Sequence, residues 1–179
     1  MADERMDSLS AEQRALLEKH RSRLQRGFRG VYVHGLDAKG RMIIPAVFRQ
    51  SLGENFCVCM SPDFKAIAIY PRLEWELQFC QLLELMEKDI EAEELVTLFS
   101  KYSFEDCECD QQGRVLLPQL LRTKVLENAK GVEISGAGTY IRVMRSEDAE
   151  SNEEAFMTKH PNLIKYRSDI EKGVSNSSN

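Results

Sequence analysis

Apolar residues along this chain fall into short runs bounded by turn formers, separated by stretches with helical spacing. Met42–Ile44, Phe56–Met60 and Ile67–Tyr70 are such runs, and Val115–Leu117, Val132–Ser135 and Tyr140–Met144 repeat them in the second half. Each is too short for a stable helix, and the turn-forming Ser61-Pro-Asp63 and Gly136-Ala-Gly138 separate neighbours, which predicts strands. Between the halves, Trp75, Phe79, Leu82, Leu83 and Met86 recur at helical spacing, predicting helices over Glu74–Lys88 and Ala92–Ser100. Shorter helices are expected over Ala46–Leu52 and Gln119–Leu126. A capped helix is expected over Ser8–Arg26, with Ser10 as cap, Glu12 and Gln13 in the first turn, and a thin stripe of Leu9, Leu16, Leu17 and Leu24.

The two halves match in residue type and spacing together. Asp37-Ala-Lys-Gly-Arg-Met-Ile-Ile-Pro45 recurs as Asp110-Gln-Gln-Gly-Arg-Val-Leu-Leu-Pro118. In each copy the Asp opens a turn by accepting from backbone two residues on, and the Gly takes a conformation costly for other residues. Pro follows where a helix begins, its fixed φ and missing N–H suiting the first helical position. Arg49 and Arg122 then share a register four residues beyond the Pro. The chain is an internal duplication whose unit is strand, turn, strand, helix, then two further strands. One unit of about forty-five residues is too small to bury a core, so the copies must pack on each other or on a neighbouring subunit.

Composition narrows the setting. No apolar stretch approaches a membrane span and the N-terminus is too polar for a signal peptide, so the expectation is a cytoplasmic, non-secreted protein. Five cysteines, an odd number, suggest free thiols. The formal net charge of −5 argues against a sequence-independent nucleic-acid coat, but the charge is uneven. Glu74, Glu76, Glu84, Glu87, Asp89, Glu91, Glu93 and Glu94 crowd the middle helices, where they are most simply a solvated face. The first helix ends in Lys19, His20, Arg21, Arg23 and Arg26, followed by Arg29. The tail from Glu147 is acidic at first, gains helical character over Met157–Lys172, and ends in a low-complexity Ser-Asn-Ser-Ser-Asn expected to be disordered.

Phe28-Arg-Gly30, Leu36-Asp-Ala-Lys-Gly-Arg-Met-Ile-Ile-Pro45, Tyr70-Pro71 with Glu74-Trp75, and Asp110 to Pro118 occur in an order and at intervals that resemble the MraZ family of bacterial transcription regulators. The resemblance covers Phe28 to about Ser146. It implies an α+β fold of tandem swapped-hairpin AbrB-like (SpoVT-AbrB) β-structures with short helices and an inter-repeat helical pair, ring-forming. The organisation it implies is an N-terminal helical extension (1–27), a first repeat (28–72), an acidic helical connector (73–102), a second repeat (103–147) and a C-terminal extension (148–179). It further implies a nucleoid-associated homo-oligomeric ring that binds double-stranded DNA at short direct repeats upstream of the division and cell wall gene cluster. The implied effect is repression of that cluster, which includes its own gene. Residues 1–27 precede the family's usual start: a partner-binding helix, an added basic contact to DNA and a misassigned translation start are all open for them.

The physical case for DNA contact rests on Arg41 and Arg114, since a guanidinium leaving a tight turn presents a planar donor fork suited to phosphate or a guanine edge. Lys39 adds a point charge at the turn tip, and Arg29 on the preceding strand is a fourth candidate. The plainer reading pairs each Arg with the Asp four residues earlier, locking its own turn. With the resemblance, DNA contact is the favoured role for Arg41; Arg114 has Gln111 and Gln112 beside it where the first copy has Ala38 and Lys39. Repetition around a ring would combine modest contacts by effective concentration.

Cys57-Val-Cys59 and Cys107-Glu-Cys109 each place two thiols on one strand face, and four thiolates would satisfy zinc. The spacing is not that of the common zinc ribbon, and buried free Cys is an ordinary small apolar residue, so neither metal nor cofactor is expected. His20, His34 and His160 are scattered and no nucleophile elbow or phosphate-binding glycine loop is present, which argues against an enzyme with a small-molecule substrate. Glu74-Trp75-Glu76 is the start of a helix with its Trp in the core. The runner-up function is an AbrB-fold antitoxin or protein-interaction module, in which an acidic helix or tail covers a toxin.

Overall fold

The computed structural model describes residues 10–87, 89 and 91–163. In chain order the elements are α1 (Ala11–Arg26), β1 (Val31–His34), β2 (Arg41–Ile43), α2 (Ala46–Leu52), β3 (Phe56–Met60), β4 (Ile67–Pro71), α3 (Arg72–Met86) and α4 (Glu91–Lys101). The second half adds β5 (Ser103–Cys107), β6 (Arg114–Leu116), α5 (Gln119–Val125), β7 (Val132–Gly136), β8 (Ile141–Arg145) and α6 (Ser146–Lys159). This is the mixed α+β arrangement that the alternation of short strands and helices dictates.

Strands of the two copies interleave. The main sheet runs β1-β7-β8-β4-β3-β5, antiparallel throughout, and β2 pairs with β6 in a separate two-stranded ribbon. Exchanging each strand for its repeat counterpart (β1 with β5, β3 with β7, β4 with β8) leaves that order unchanged, so the duplication folds with pseudo-two-fold symmetry. Each repeat thus lends its first strand to the edge of the other. The small unit resolves its shortage of core by packing on its own copy within one chain.

Alternation along the strands decides which residues enter which layer. Met42 and Ile44 from the first copy, and Val115 and Leu117 from the second, point inward from the ribbon region onto Val58, Ile69, Ile134 and Val143 of the sheet, with Phe48, Leu52 and Leu121 of α2 and α5 filling the space between. On the other face Cys57, Cys59, Ala68 and Tyr70 are covered by Trp75 and Phe99, whose rings stack at 5.2 Å. β3 is therefore buried on both faces, which is why Phe-Cys-Val-Cys-Met is apolar without alternation. The acidic residues of α3 and α4 lie largely on their outer faces, as expected. Among the described residues no helix is long and apolar enough to cross a membrane.

Two local expectations change. Pro45 and Pro118 are N-caps with extended ψ of 134° and 132°, one residue before the first helical position. The pyrrolidine still helps there by fixing φ and disfavouring helix in the residue before it. The last helix begins at Ser146 rather than Met157. Its acidic start suits a helix N-terminus, Arg145 pairs with Asp148 at 2.6 Å, and Ala149 closes over Met144. At the other end α1 has the expected capping box, Ser10 Oγ accepting from Gln13 N at 3.2 Å while Ser10 N donates to Gln13 Oε1 at 2.9 Å. Leu16 and Leu24 stay exposed. Leu9, most of the Met157–Lys172 segment and the Ser-Asn-Ser-Ser-Asn end lie outside the described residues, in whole or beyond Leu163.

Candidate nucleic-acid interface

Two equivalent turns, Asp37–Gly40 and Asp110–Gly113, feed the ribbon strands. In the first, one carboxylate oxygen of Asp37 accepts from the backbone N–H groups of Lys39 and Arg41, each at 2.9 Å. In the second, Asp110 accepts from Gln112 and Arg114 at 2.9 and 3.0 Å. Gly40 and Gly113 close the turns by donating to Asp37 O and Asp110 O, both at 2.8 Å, with φ of +78° and +74°. Asp37 and Asp110 are accordingly what hold the turns, and the two glycines supply a left-handed conformation that side chains disfavour.

The second carboxylate oxygen of each Asp holds an arginine. Arg41 Nε donates to Asp37 at 2.7 Å, and its Nη1 lies 3.6 Å from Asp110 of the other copy. Arg114 engages Asp110 through Nε at 2.8 Å and Nη2 at 2.7 Å. The turn-locking pair is thus present at both sites, with Arg41 also reaching across the pseudo-two-fold axis. The Arg114 side chain and the backbone N–H groups hold the Asp110 carboxyl down at about 2. Asp37 is lowered as well, chiefly by the backbone N–H of Arg41. Both carboxylates stay charged at neutral pH, so each Asp–Arg pair is balanced. Lys39 stands at the first tip, exposed and without an ion pair among the described residues; the second tip has neutral Gln112 in its place.

The space beside each turn glycine is filled by an arginine from the opposite repeat. The guanidinium of Arg122 on α5 lies against Gly40, where a β-carbon would collide with it. Arg49 on α2 does the same at Gly113, its Nη1 only 2.6 Å from the position of an added β-carbon. Arg122 is further held by donating from Nε to Leu117 O at 2.9 Å. Backbone bonds complete the cross-link, Ile44 N donating to Gly113 O at 2.9 Å and Leu117 N to Gly40 O at 3.3 Å.

Arg41 and Arg114 therefore converge on Asp110, and Lys39 stands at the tip of the first turn. Arg29 is placed elsewhere: it precedes β1, at the end of that strand away from the turn, and its guanidinium donates to Leu24 O at 3.1 Å, closing the C-terminus of α1. The contribution of Arg49 and Arg122 is not apparent from local sequence, although their shared register was the available signal. Cys57 and Cys59 sit beneath Trp75 and Phe99; a hydrogen bond with Cys57 and burial push the Cys59 thiol well above its usual range. Burial also raises Cys107 and Cys109. These three are disfavoured as thiolates. Among the described residues no group of three or more His, Cys, Asp or Glu could hold a metal ion.

Residues 28–97 match the family model described as "MraZ protein, putative antitoxin-like". Curated relatives include a protein named "Transcriptional regulator MraZ" from Carboxydothermus hydrogenoformans, 40% identical over 120 residues, which are 67% of this chain and 82% of that one. One of the same name from Lachnoclostridium phytofermentans is 38% identical over 125 residues, 70% and 86% of the two chains. Another from Desulforamulus reducens is 35% identical over 121 residues, 68% and 83%.

Proposed function

The chain belongs to the MraZ family, and from that membership and the geometry of the ribbon we propose that it is a sequence-specific DNA-binding transcription regulator working as a homo-oligomer. The surface proposed to meet DNA is the paired-turn face, with Lys39, Arg41 and Arg114 as contacts and Arg29 joining only where the DNA reaches the end of α1. The observation that carries this reading is the rigid presentation of two Asp-anchored arginines on one pseudo-symmetric ribbon. A two-stranded antiparallel ribbon is a known way to enter a DNA groove.

The symmetry is broken where it matters. Lys39 at one tip faces Gln112 at the other, so each chain presents a directional surface. Several chains arranged head to tail would suit short direct repeats better than palindromes. The outer edges of β1 and β5, unpaired among the described residues, and exposed apolar residues such as Leu73 and Leu77 on α3 are consistent with further subunits assembling around the chain. On this reading the protein is a cytoplasmic, nucleoid-associated repressor, in a ring, of the division and cell wall cluster that includes its own gene. The antitoxin reading is favoured by one feature, the acidic α6 with Phe156 half exposed.

Titration of the purified protein against DNA from upstream of its own gene, with unrelated competitor DNA present, tests the proposal. Tight binding that survives competitor is expected. Binding abolished by competitor, together with co-purification of a small basic partner on α6, would favour the antitoxin reading.

A further inference from the structure

The outer face of the β2–β6 ribbon is not simply basic. Side chains alternate along each strand, so Met42 and Val115 go to the core while Arg41 and Ile43 on one strand, and Arg114 and Leu116 on the other, share the outward face. Register sets Arg41 opposite Leu116 and Ile43 opposite Arg114. The result is a diagonal of two guanidinia crossed by a diagonal of two aliphatic side chains, centred on the Met42–Val115 pair. Ile43 is 44% exposed and Leu116 58%. Two aliphatic residues stand together on this face, where polar ones would fit the outward side of an amphipathic ribbon better.

We propose that Ile43 and Leu116 are specificity-determining residues that pack against thymine methyl groups in the major groove, beside bases or phosphates held by Arg41 and Arg114. This rests on the DNA-binding reading above and deepens it. The thymine 5-methyl is the one apolar feature of the major-groove edge, and aliphatic side chains are its natural contacts. The arginines cannot swing freely, because Nε of each is tied to an Asp. Each guanidinium is thereby kept beside its own turn, and Ile43 and Leu116 project from the same ribbon face next to them. The pseudo-two-fold arrangement puts one such contact on each side of the ribbon centre, with Ile43 and Leu116 differing in shape between the sides.

The test alters the DNA rather than the protein. A fragment from upstream of the chain's own gene is prepared once with thymine and once with uracil throughout, which removes every 5-methyl group and keeps the pairing. The full chain should bind the uracil fragment more weakly, by about fourfold for each methyl group it buries. Ile43→Ala and Leu116→Ala, singly and together, should bind the thymine fragment more weakly, and the double variant should no longer distinguish the two fragments. Light scattering should show all variants at wild-type size. Equal binding of both fragments by the wild type would overturn the inference while leaving the regulator reading intact. So would a double variant that still discriminates, since the uracil effect would then come from DNA shape, or a variant of altered oligomer size, which would make these side chains subunit contacts. Failure to bind either fragment would overturn the regulator reading itself, and this inference with it.

Discussion

The guanidinium of Arg122 rests on Gly40, a residue of the other repeat, and occupies the space that any β-carbon there would need. Arg49 has the same relation to Gly113. The duplicated motif is thus closed crosswise, each repeat supplying the lid for its partner's turn, and the glycine is required both by its positive φ and by its missing side chain.

Gly40→Ala and Gly113→Ala should each destabilise the chain by about 1–3 kcal/mol, from backbone strain at positive φ together with the collision. Adding Arg122→Ala to Gly40→Ala should recover the collision part only. Urea unfolding of the four members of this cycle gives the coupling. Strict additivity would mean that the arginine yields freely and that only the backbone conformation matters.

Arg41→Ala should leave the assembly intact and weaken operator binding more than Arg49→Ala, by about 1–3 kcal/mol per ribbon if Arg41 reads a base. Removing Arg41 also leaves Asp37 without its guanidinium partner on the proposed DNA face, which should add repulsion of phosphate. Arg49→Ala loosens the Gly113 turn and should show a smaller, indirect loss. Gel-shift titration ranks the two, and the reverse order with both variants assembled would move the interface to α2.

Acid sensitivity follows from the anchoring carboxylates. Asp110 is held at about 2 by Arg114. Partial burial raises Asp63, but hydrogen bonds from Arg142 and Ser61 outweigh it and bring it to about 2. Both lie below the usual unfolded value of about 3.9. Their stabilisation is therefore fully present above about pH 4 and is lost as pH falls toward 2. Thermal melts should show no change in the contribution of these groups between pH 5 and 8 and a decline below pH 4. Asp63→Asn should lower stability at pH 7 and reduce that acid decline.

Thiol reactivity should follow burial. Cys80 is exposed on α3, Cys107 and Cys109 are half buried, and Cys57 and Cys59 are fully buried. A thiol reagent should label Cys80 first and reach Cys57 and Cys59 only on unfolding. Mass spectrometry after timed labelling checks the order. Early modification of Cys57 would contradict the packing of Trp75 and Phe99 over β3.

Deleting residues 1–26 tests the basic helix. If its end meets DNA, every phosphate that the helix neutralises in the full chain should make the slope of log affinity against log salt shallower by about 0.9 in the shortened one. An unchanged slope and affinity would leave α1 as a tether or a partner site rather than a DNA contact.

Much of the fold is legible in the sequence because its signals are local. The Asp–Gly turns, the prolines before α2, α3 and α5, and the short apolar runs each specify a few residues of backbone, and Ala46–Leu52 and Phe56–Met60 follow from them directly. What stays hidden is long-range. Nothing in Val31–His34 states that its partner is Val132–Ser135 of the other copy, and the role of Arg49 and Arg122 exists only once that exchange is made. Arg29 is near the turn in sequence, whereas an extended strand carries the chain away at about 3.3 Å per residue. The start of the Ser146 helix is hard to read because its buried side is small, resting on Ala149 rather than on a stripe of large apolar residues.

The most direct test of the central claim is footprinting of the purified chain, wild type and Arg41→Ala, on the DNA upstream of its own gene. The wild type should protect short direct repeats at regular spacing, and the variant should lose that protection at the same oligomer size. No protected repeat with the wild type, or identical protection with Arg41→Ala, would contradict that claim.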